Sequence, residues 1–562
     1  MQEQAEAPPG ATHVVLNQPL PLEDYNLFEA DRVLKEALIR EGGDWAQAQI
    51  SELGEVAGRA ETIKLGAEAN AKPPRLRSHD RFGHRVDEVE FHPAWHELMR
   101  IGVDAGLHAS PWSEPGPGAH VARAAGFMCI AQIDAGICCP IGGTYAAVPA
   151  IRRQPELAGE WEPSLISNRY DGRARPVPEK AGALCAMGMT EKQGGSDVRA
   201  NTTTAVPTGD GGPGAPYELT GHKWFFSAPM CDVFLMLAQA PGGLSCFLLP
   251  RWREDGTRNG MHLQRLKDKL GNRSNASSEL EMRGAEARLV GEEGRGVPTI
   301  IEMVNHTRLD CVLGASAGLR LGVAQASWHA GHRSVFGKRL IEQPLMLNVL
   351  ADLAVESEAA TTSAMWLARI YDSSHLAEAD GGEERTSRLL RRVATPVLKY
   401  WICKRAPWHA VESLECLGGN GYVEESGMPR LYRESPLQSI WEGAGNVQAL
   451  DVLRAMVSRP ESVPAFFAEV DEARGSDSRL DDYADRVREG IGDMEGIEAR
   501  ARRLVEGMAL ALQGSLLLRY GDPAVADAFC ASRLGGDWGA AFGTLPAGCD
   551  LDGIVARHAP AL

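Results

Sequence analysis

The apolar residues of this chain change period twice, and that change limits the folds open to it. Over 27–70 they recur at helical spacing, with Ala30, Val33, Leu34, Ala37 and Leu38 at i, i+3 and i+4 steps. A polar stretch with a Pro pair, 71–90, reads as a loop. Helical character returns over 93–134, and 140–167 is broken by Pro and Gly. Over 184–290 the pattern becomes short β-like runs between turn signals. There, 217–220 and 223–226 read as a strand pair around Gly221, and 233–239 and 244–249 as a hairpin about a PGG turn. After Gly296 long helical tracts follow near 297–335, 343–376, 385–416 and 445–457, the pattern of an antiparallel bundle. The remainder, 458–562, is helix-like, and no internal repeat is present.

At 562 residues the chain has length for three or four domains. Its formal charge of −17, from 58 basic and 75 acidic residues, disfavours a general binder of nucleic acid or anionic membrane, because both surfaces repel a net anion. Eleven cysteines, two of them adjacent (Cys138 and Cys139), form no CxxC pair and no Cys/His ladder. That is a reducing-compartment pattern, and no metal is assigned. The first residues carry no basic and apolar signal-peptide regions, and no run approaches the roughly 18 to 20 apolar residues that span a bilayer. These features read as a soluble, cytoplasmic protein.

Four segments carry chemistry. In MGMTEKQGGSDV (187–198), Gly194 and Gly195 remove side-chain bulk, so backbone N–H groups can approach an anion; Thr190 and Ser196 add hydroxyl donors. The same residues also suit an ordinary Gly-Gly turn. In GHKWFFS (221–227), consecutive aromatics beside a hydroxyl can flank a planar ring, or can simply fill a core. In HRSVFGKRL (332–340), Arg333 suits a phosphate or a solvated helix end. The fourth comprises ECLGGNGYV (415–423) and SIWEGAGNVQALD (439–451). Glu442 lies there among Trp and Gly; desolvation would raise its pKa and suit a general base, whereas a stabilising Glu at a helix start is the alternative.

Taken in order, MTEKQGGSD, KWFFS, RxxFGK, LGGNGY and IWEGAGN make the chain resemble the acyl-CoA dehydrogenase superfamily over roughly residues 90–455. Among its branches it is most similar to the AidB-like, DNA alkylation-response proteins. The marks of that branch are TEKQGGSDV (190–198), LGNRSNASSE (270–279), NQPLPLEDYNLF (17–28), FHPAWHELM (91–99) and a C-terminal extension.

The resemblance implies an α+β, mainly helical fold: a helical N-terminal domain (1–183), a small central β-barrel (184–290), a helical bundle (291–457) and a helical extension (458–562). It implies FAD, lined by Met187, Met189, Thr190, Gly195 and Ser196, with Thr190 at the pyrimidine edge and Ser196 at the pyrophosphate. Phe225 would pack on the ring and Ser227 donate to flavin N5. Arg333 and Phe336 would reach FAD of a neighbouring subunit, hence a homotetramer. Gly418, Gly419, Ile440, Trp441, Gly443 and Asn446 would complete the contacts.

Glu442 matches the family's base for α,β-dehydrogenation of an acyl-CoA thioester, here short or branched as in isovaleryl-CoA, with an electron-transfer flavoprotein as acceptor. Thr307 precedes the family arginine (Arg308) and cannot be a base. The chain departs from the pattern at Phe225 (with Trp224 one place early), Ala444 and Glu415. The branch also implies duplex DNA binding through a basic C-terminal region, with weak or vestigial catalysis. Residues 458–562 have no Lys and 11 Arg against 18 acidic residues, a net −7 that argues against strong DNA binding; Arg500, Arg502 and Arg503 form one small cluster.

Overall fold

A computed structural model describes residues 10–376 and 383–560; the readings on residues 1–9 lie outside it. In the N-terminal part, the stripe of Val33, Leu34, Ala37 and Leu38 forms the buried face of helix Arg32–Arg40, as its spacing predicts. The stretch 71–90, expected to be a loop, is a hairpin of Arg75–His79 and Arg85–Glu90. Its faces are largely polar on both sides, which hides the period of two. The stretch 140–167, expected to be broken, is two helices, Cys138–Ile151 and Pro155–Leu165. Pro140 sits in a first turn, where no N–H is needed. Pro149 removes the bond to the Tyr145 carbonyl, and the Trp112 indole donates to that carbonyl instead at 2.8 Å.

The middle is a small closed barrel. Its strands are β1 (Cys185–Gly188), β2 (Thr204–Pro207), β3 (Pro216–Ser227), β4 (Val233–Ala240), β5 (Gly243–Pro250), β6 (Met261–Leu266) and β7 (Ser277–Val290). The ring runs β4–β2–β3–β7–β5 and returns to β4; β1 adds to β4 in parallel and β6 to β7. The hairpin of β4 and β5 is as predicted, with Ala240 opposite Gly243. The predicted strand pair around Gly221 is instead one continuous strand, β3. A Cβ at Gly221 would lie 2.5 Å from Thr203 Oγ1 and 2.6 Å from Thr203 Cα, so the glycine admits a close strand crossing and does not turn the chain. Strand β4 shows why this part lacks polar alternation. Phe234, Met236 and Ala238 enter one core, while Val233, Leu235 and Leu237 enter another, against helix Cys138–Ile151.

The four late tracts are α1 (Gly296–His332), α2 (Pro344–Leu376), α3 (Glu383–Glu415) and α4 (Gly445–Ser458). The 37-residue α1 spans roughly 55 Å and packs against α2, α3 and the helix Cys138–Ile151. The extension contributes Val505, Met508, Ala509 and Leu512 to the core that holds Val355 and Trp366 of α2. Charges seat it: Arg533 contacts Asp352 (2.5 Å) and Glu356 (3.1 Å), and Arg557 contacts Glu358 at 2.9 Å. No helix of the described residues is long and apolar enough to cross a membrane.

Burial opposes ionisation of Glu356 and Glu358, but Arg405 and Arg533 hold the first, and His558 and Arg557 the second, at about 2. Their ordinary value is 4.5, so their contribution to docking the extension is complete above that pH and disappears as pH falls from about 4.5 toward 2. An acid titration followed by fluorescence of Trp538, whose ring Arg533 overlies, should show a transition in that window; Glu356→Gln/Glu358→Gln should flatten it.

Candidate active site

The barrel rim carries the first two motifs side by side. Trp224 N–H donates to the Thr190 carbonyl at 2.8 Å, which joins the end of β3 to the loop leaving β1. A buried ion pair anchors that loop. Glu191 meets Lys223 at 2.9 Å with both side chains fully enclosed, and it also accepts from Thr202 N (2.7 Å) and Thr203 N (3.2 Å). Lys223 donates onward to the Leu237 carbonyl at 2.8 Å. Held so, Gly195 and Ser196 face outward on the surface. A Cβ at Gly195 would lie 3.0 Å from the Thr190 side chain, so a larger residue there would crowd Thr190. Met187 and Met189 pack partly buried below the loop.

Of the aromatic run only Phe226 is core; Phe225 is 54% exposed, and Lys267 lies 3.2 Å above the Trp224 ring. Ser227 Oγ is 3.0 Å from Ser277 Oγ, and Lys269 donates to Ser277 Oγ at 3.0 Å. Ser277 Oγ accepts from Lys269, and either hydroxyl of the Ser227–Ser277 pair can donate to the other. Burial lowers Lys269 to about 8. Beside it Asn275, from the LGNRSNASSE stretch, is 2% exposed and neighbours the Cys139 thiol.

Glu442 approaches from the bundle. It sits in left-handed backbone (φ 57), followed by Gly443 (φ 100), a conformation that costs a non-glycine residue about 1 kcal/mol. The loop keeps it because its carbonyls are held. Arg308 Nε donates to Glu442 O at 3.0 Å, Gln448 Nε2 to Glu442 O at 3.0 Å, and Lys399 Nζ to Trp441 O and Gly443 O, both at 2.9 Å. A Cβ at Gly443 would lie 2.6 Å from Gln448 Nε2, so this clamp needs glycine. The carboxylate accepts from Thr307 Oγ1 at 2.9 Å. Burial raises its pKa above 4.5, partly countered by the Thr307 hydrogen bond, Lys399 and Arg308. Ile440 (60% exposed) and Asn446 lie at the surface of this loop, and Trp441 is tied to Gln438 Oε1 at 2.8 Å.

The remaining predicted residues lie elsewhere. Arg333 follows α1, 25 residues beyond Arg308 and so roughly 37 Å along the axis. There Arg333 Nη1 donates to Asn17 O at 2.5 Å, and Phe336 is 99% exposed at the tip of a two-residue turn. Gly418 and Gly419 lie on the surface, and Asn420 beside them reaches Gln18 at 3.0 Å. One chain therefore presents two separate groups: the barrel rim with Glu442, and Arg333, Phe336, Gly418 and Gly419 near the far end of α1. A cavity of about 1230 Å³ holds neither Glu442 nor the glycine loop; it opens between Tyr25, Asn70, Asn272, Trp328, Leu417 and Arg430.

Three matches bear on these residues. Residues 17–172 match the adaptive response protein AidB N-terminal domain, 186–285 the acyl-CoA dehydrogenase middle domain, and 294–457 the acyl-CoA dehydrogenase C-terminal domain. The chain is 44% identical to AidB of Escherichia coli (strain K12) over 521 residues, covering 92% of this chain and 94% of that one.

The chain belongs to the acyl-CoA dehydrogenase superfamily, in its AidB-like branch.

It is also 31% identical to acyl-CoA dehydrogenase family member 11 of Caenorhabditis elegans over 86% of this chain and 78% of that one. The crystal structure of C. elegans ACDH-11 in complex with C11-CoA superposes with a TM-score of 0.84 at 26% identity, covering 94% of each chain. An acyl-CoA dehydrogenase complexed with FAD from Bacillus anthracis shares the fold at a TM-score of 0.62 and 18% identity, over 97% of this chain and 87% of that one. The protein is an oxidoreductase of the acyl-CoA dehydrogenase type, and FAD is its cofactor.

Lys399, Gln448 and the Glu191–Lys223 pair were not singled out from sequence. Glu191 and Lys223 both stood inside quoted motifs, but a buried pair 32 residues apart is a tertiary fact. Lys223→Met alone leaves Glu191 buried and unpaired, and should cost about 3 kcal/mol or more. Thermal unfolding should show the loss, and Glu191→Leu added to Lys223→Met should recover most of it.

Proposed function

We propose that the protein oxidises the Cα–Cβ bond of a short or branched acyl-CoA, of the isovaleryl-CoA kind, with Glu442 as the base. The observation that carries this is a carboxylate held in left-handed backbone, partly buried, with its carbonyls fixed and Thr307 as its hydrogen-bonding partner. Such a group is desolvated, which raises its affinity for a proton above that of an ordinary carboxylate, and its loop holds it in place. Thr307 holds one carboxylate oxygen, so Glu442 takes the α-proton on the other. Bound FAD supplies the acceptor for the hydride from the β-carbon. Thr190, Gly195 and Ser196 would hold it from the barrel rim, with Ser227 offering its hydroxyl to the ring; the exposed backbone at Gly195 and Ser196 fits that group. The thioester class is supported by the C11-CoA complex of the C. elegans structure; the short or branched acyl group follows from the AidB-like resemblance.

Arg333, Phe336, Gly418 and Gly419 lie too far along α1 to meet the same flavin, which supports a homotetramer in which they serve a neighbour's. An electron-transfer flavoprotein is the acceptor that the family resemblance implies. Eleven cysteines without a disulfide support a reducing, cytoplasmic setting. Duplex DNA binding gains no support from the C-terminal arginines: Arg500 donates to the carbonyls of Gly490 (3.2 Å), Asp493 (2.6 Å) and Glu495 (2.9 Å), and Arg502 to Tyr400 at 3.1 Å.

Anaerobic titration with acyl-CoA thioesters should bleach the flavin, and Glu442→Gln should slow bleaching by about 100- to 10,000-fold while FAD stays bound. The rate should rise with pH through an apparent pKa above the ordinary 4.5, because the base works only when deprotonated and burial raises its value. No bleaching by any thioester in the wild type would sink the proposal.

A further inference from the structure

We propose that Lys399 is the residue that positions Glu442 and supplies the positive charge that faces it. The inference rests on the reading of Glu442 as the base and assigns this lysine a role within that same site.

Lys399 lies mid-way along α3 and is 1% exposed. Its ammonium has three protons, and three carbonyls accept them: Gln438 at 3.1 Å, Trp441 at 2.9 Å and Gly443 at 2.9 Å. Two of these flank Glu442 on either side in sequence. The donors are therefore fully used on the backbone of the loop, and Lys399 acts on the carboxylate through that backbone and through space. A buried ammonium without a carboxylate in contact is a costly placement, and proteins keep one only where its surroundings repay it. Here carbonyl dipoles and the nearby Glu442 carboxylate do so.

No other group has this combination. From α1, Thr307 offers a neutral hydroxyl and Cys311 a thiol, while Arg308 is already matched by Asp451 of α4 at 2.8 Å. Asp451 is shared in turn with Arg392 at 2.8 Å. Gln448 of α4 is neutral, and from helix Cys138–Ile151 Cys139 faces the site. Lys404 of α3 reaches the same loop at Gly445, and Lys269 stands across Cys139 from it. The cations that act on the Glu442 carboxylate are Lys399 and Arg308, and of these two Lys399 is the one not matched by an acid in contact among the described residues. Its removal leaves burial of Glu442 less opposed, so the carboxylate holds its proton to higher pH. It also releases the two peptides that keep Glu442 and Gly443 left-handed.

The test uses the FAD-loaded protein with Lys399→Gln and Lys399→Arg, and Glu442→Gln as the spectroscopic blank. Infrared difference spectra across pH follow the Glu442 carboxyl band directly and need no turnover. In Lys399→Gln the midpoint should move up by about one pH unit or more, and flavin reduction at pH 7 should slow about tenfold or more with KM within about twofold. Lys399→Arg keeps the charge on a different fork, so its midpoint should stay near the wild type while the rate falls. An unchanged midpoint in Lys399→Gln overturns the inference. Should Lys399→Gln fail to fold, by circular dichroism and FAD content, Lys399→Arg decides: a wild-type midpoint with a lowered rate upholds the inference, and a shifted midpoint overturns it. Failure of the base assignment is seen separately, as Glu442→Gln reducing its flavin as fast as the wild type.

Discussion

The helix Gly296–His332 is the member on which the other parts depend. It is buried along nearly its whole length, and small residues such as Ala315, Ala317, Ala324, Ala326 and Ala330 let neighbouring helices come close on several sides. Arg123 ties it to the N-terminal helices through Asp310 at 2.8 Å, with no water-exposed surface on that arginine to speak of. Near its first third it presents Thr307 and Arg308 to Glu442; at its end it delivers Arg333 and the exposed Phe336. A rigid rod of that length sets the separation between the two groups of candidate residues, and neither can drift relative to the other without unpacking the bundle.

Buried charge recurs wherever a loop must hold one shape. Glu191 and Lys223 fix the glycine-rich loop at the barrel rim, and Lys180 with Asp232 (2.6 Å) fixes the entry to β1. Lys399 and Arg308 fix the Glu442 loop, and the carboxylates of α2 dock the C-terminal extension. Such groups add little net stability over an apolar replacement, but they tolerate few alternative geometries. That suits a site in which a carboxylate must meet a substrate held against a flat ring.

Much of the fold was legible because its signals are local. Helical stripes, a hairpin with its PGG turn and four long late tracts follow from spacing and turn residues alone. The places where the reading failed have specific causes. The hairpin over Arg75–Glu90 has polar residues on both faces, so no period shows. The helices within 140–167 contain prolines: Pro140 and Pro155 fall in first turns, the carbonyl freed by Pro149 is taken by Trp112, and Pro163 falls in the last turn of its helix. Strand β3 runs through Gly221, because Thr203 crosses it closely.

The sequence by itself determined the family, the order of helical, barrel and bundle parts, and the residue types at the candidate site, since motif spacing and side-chain chemistry are properties of the chain. Only the tertiary structure decided that Glu442 is strained and clamped, that Arg333 and Gly418 stand apart from it, and that Lys399 faces it. Those facts depend on which distant residues share a space, and on what burial does to a charge once water is gone.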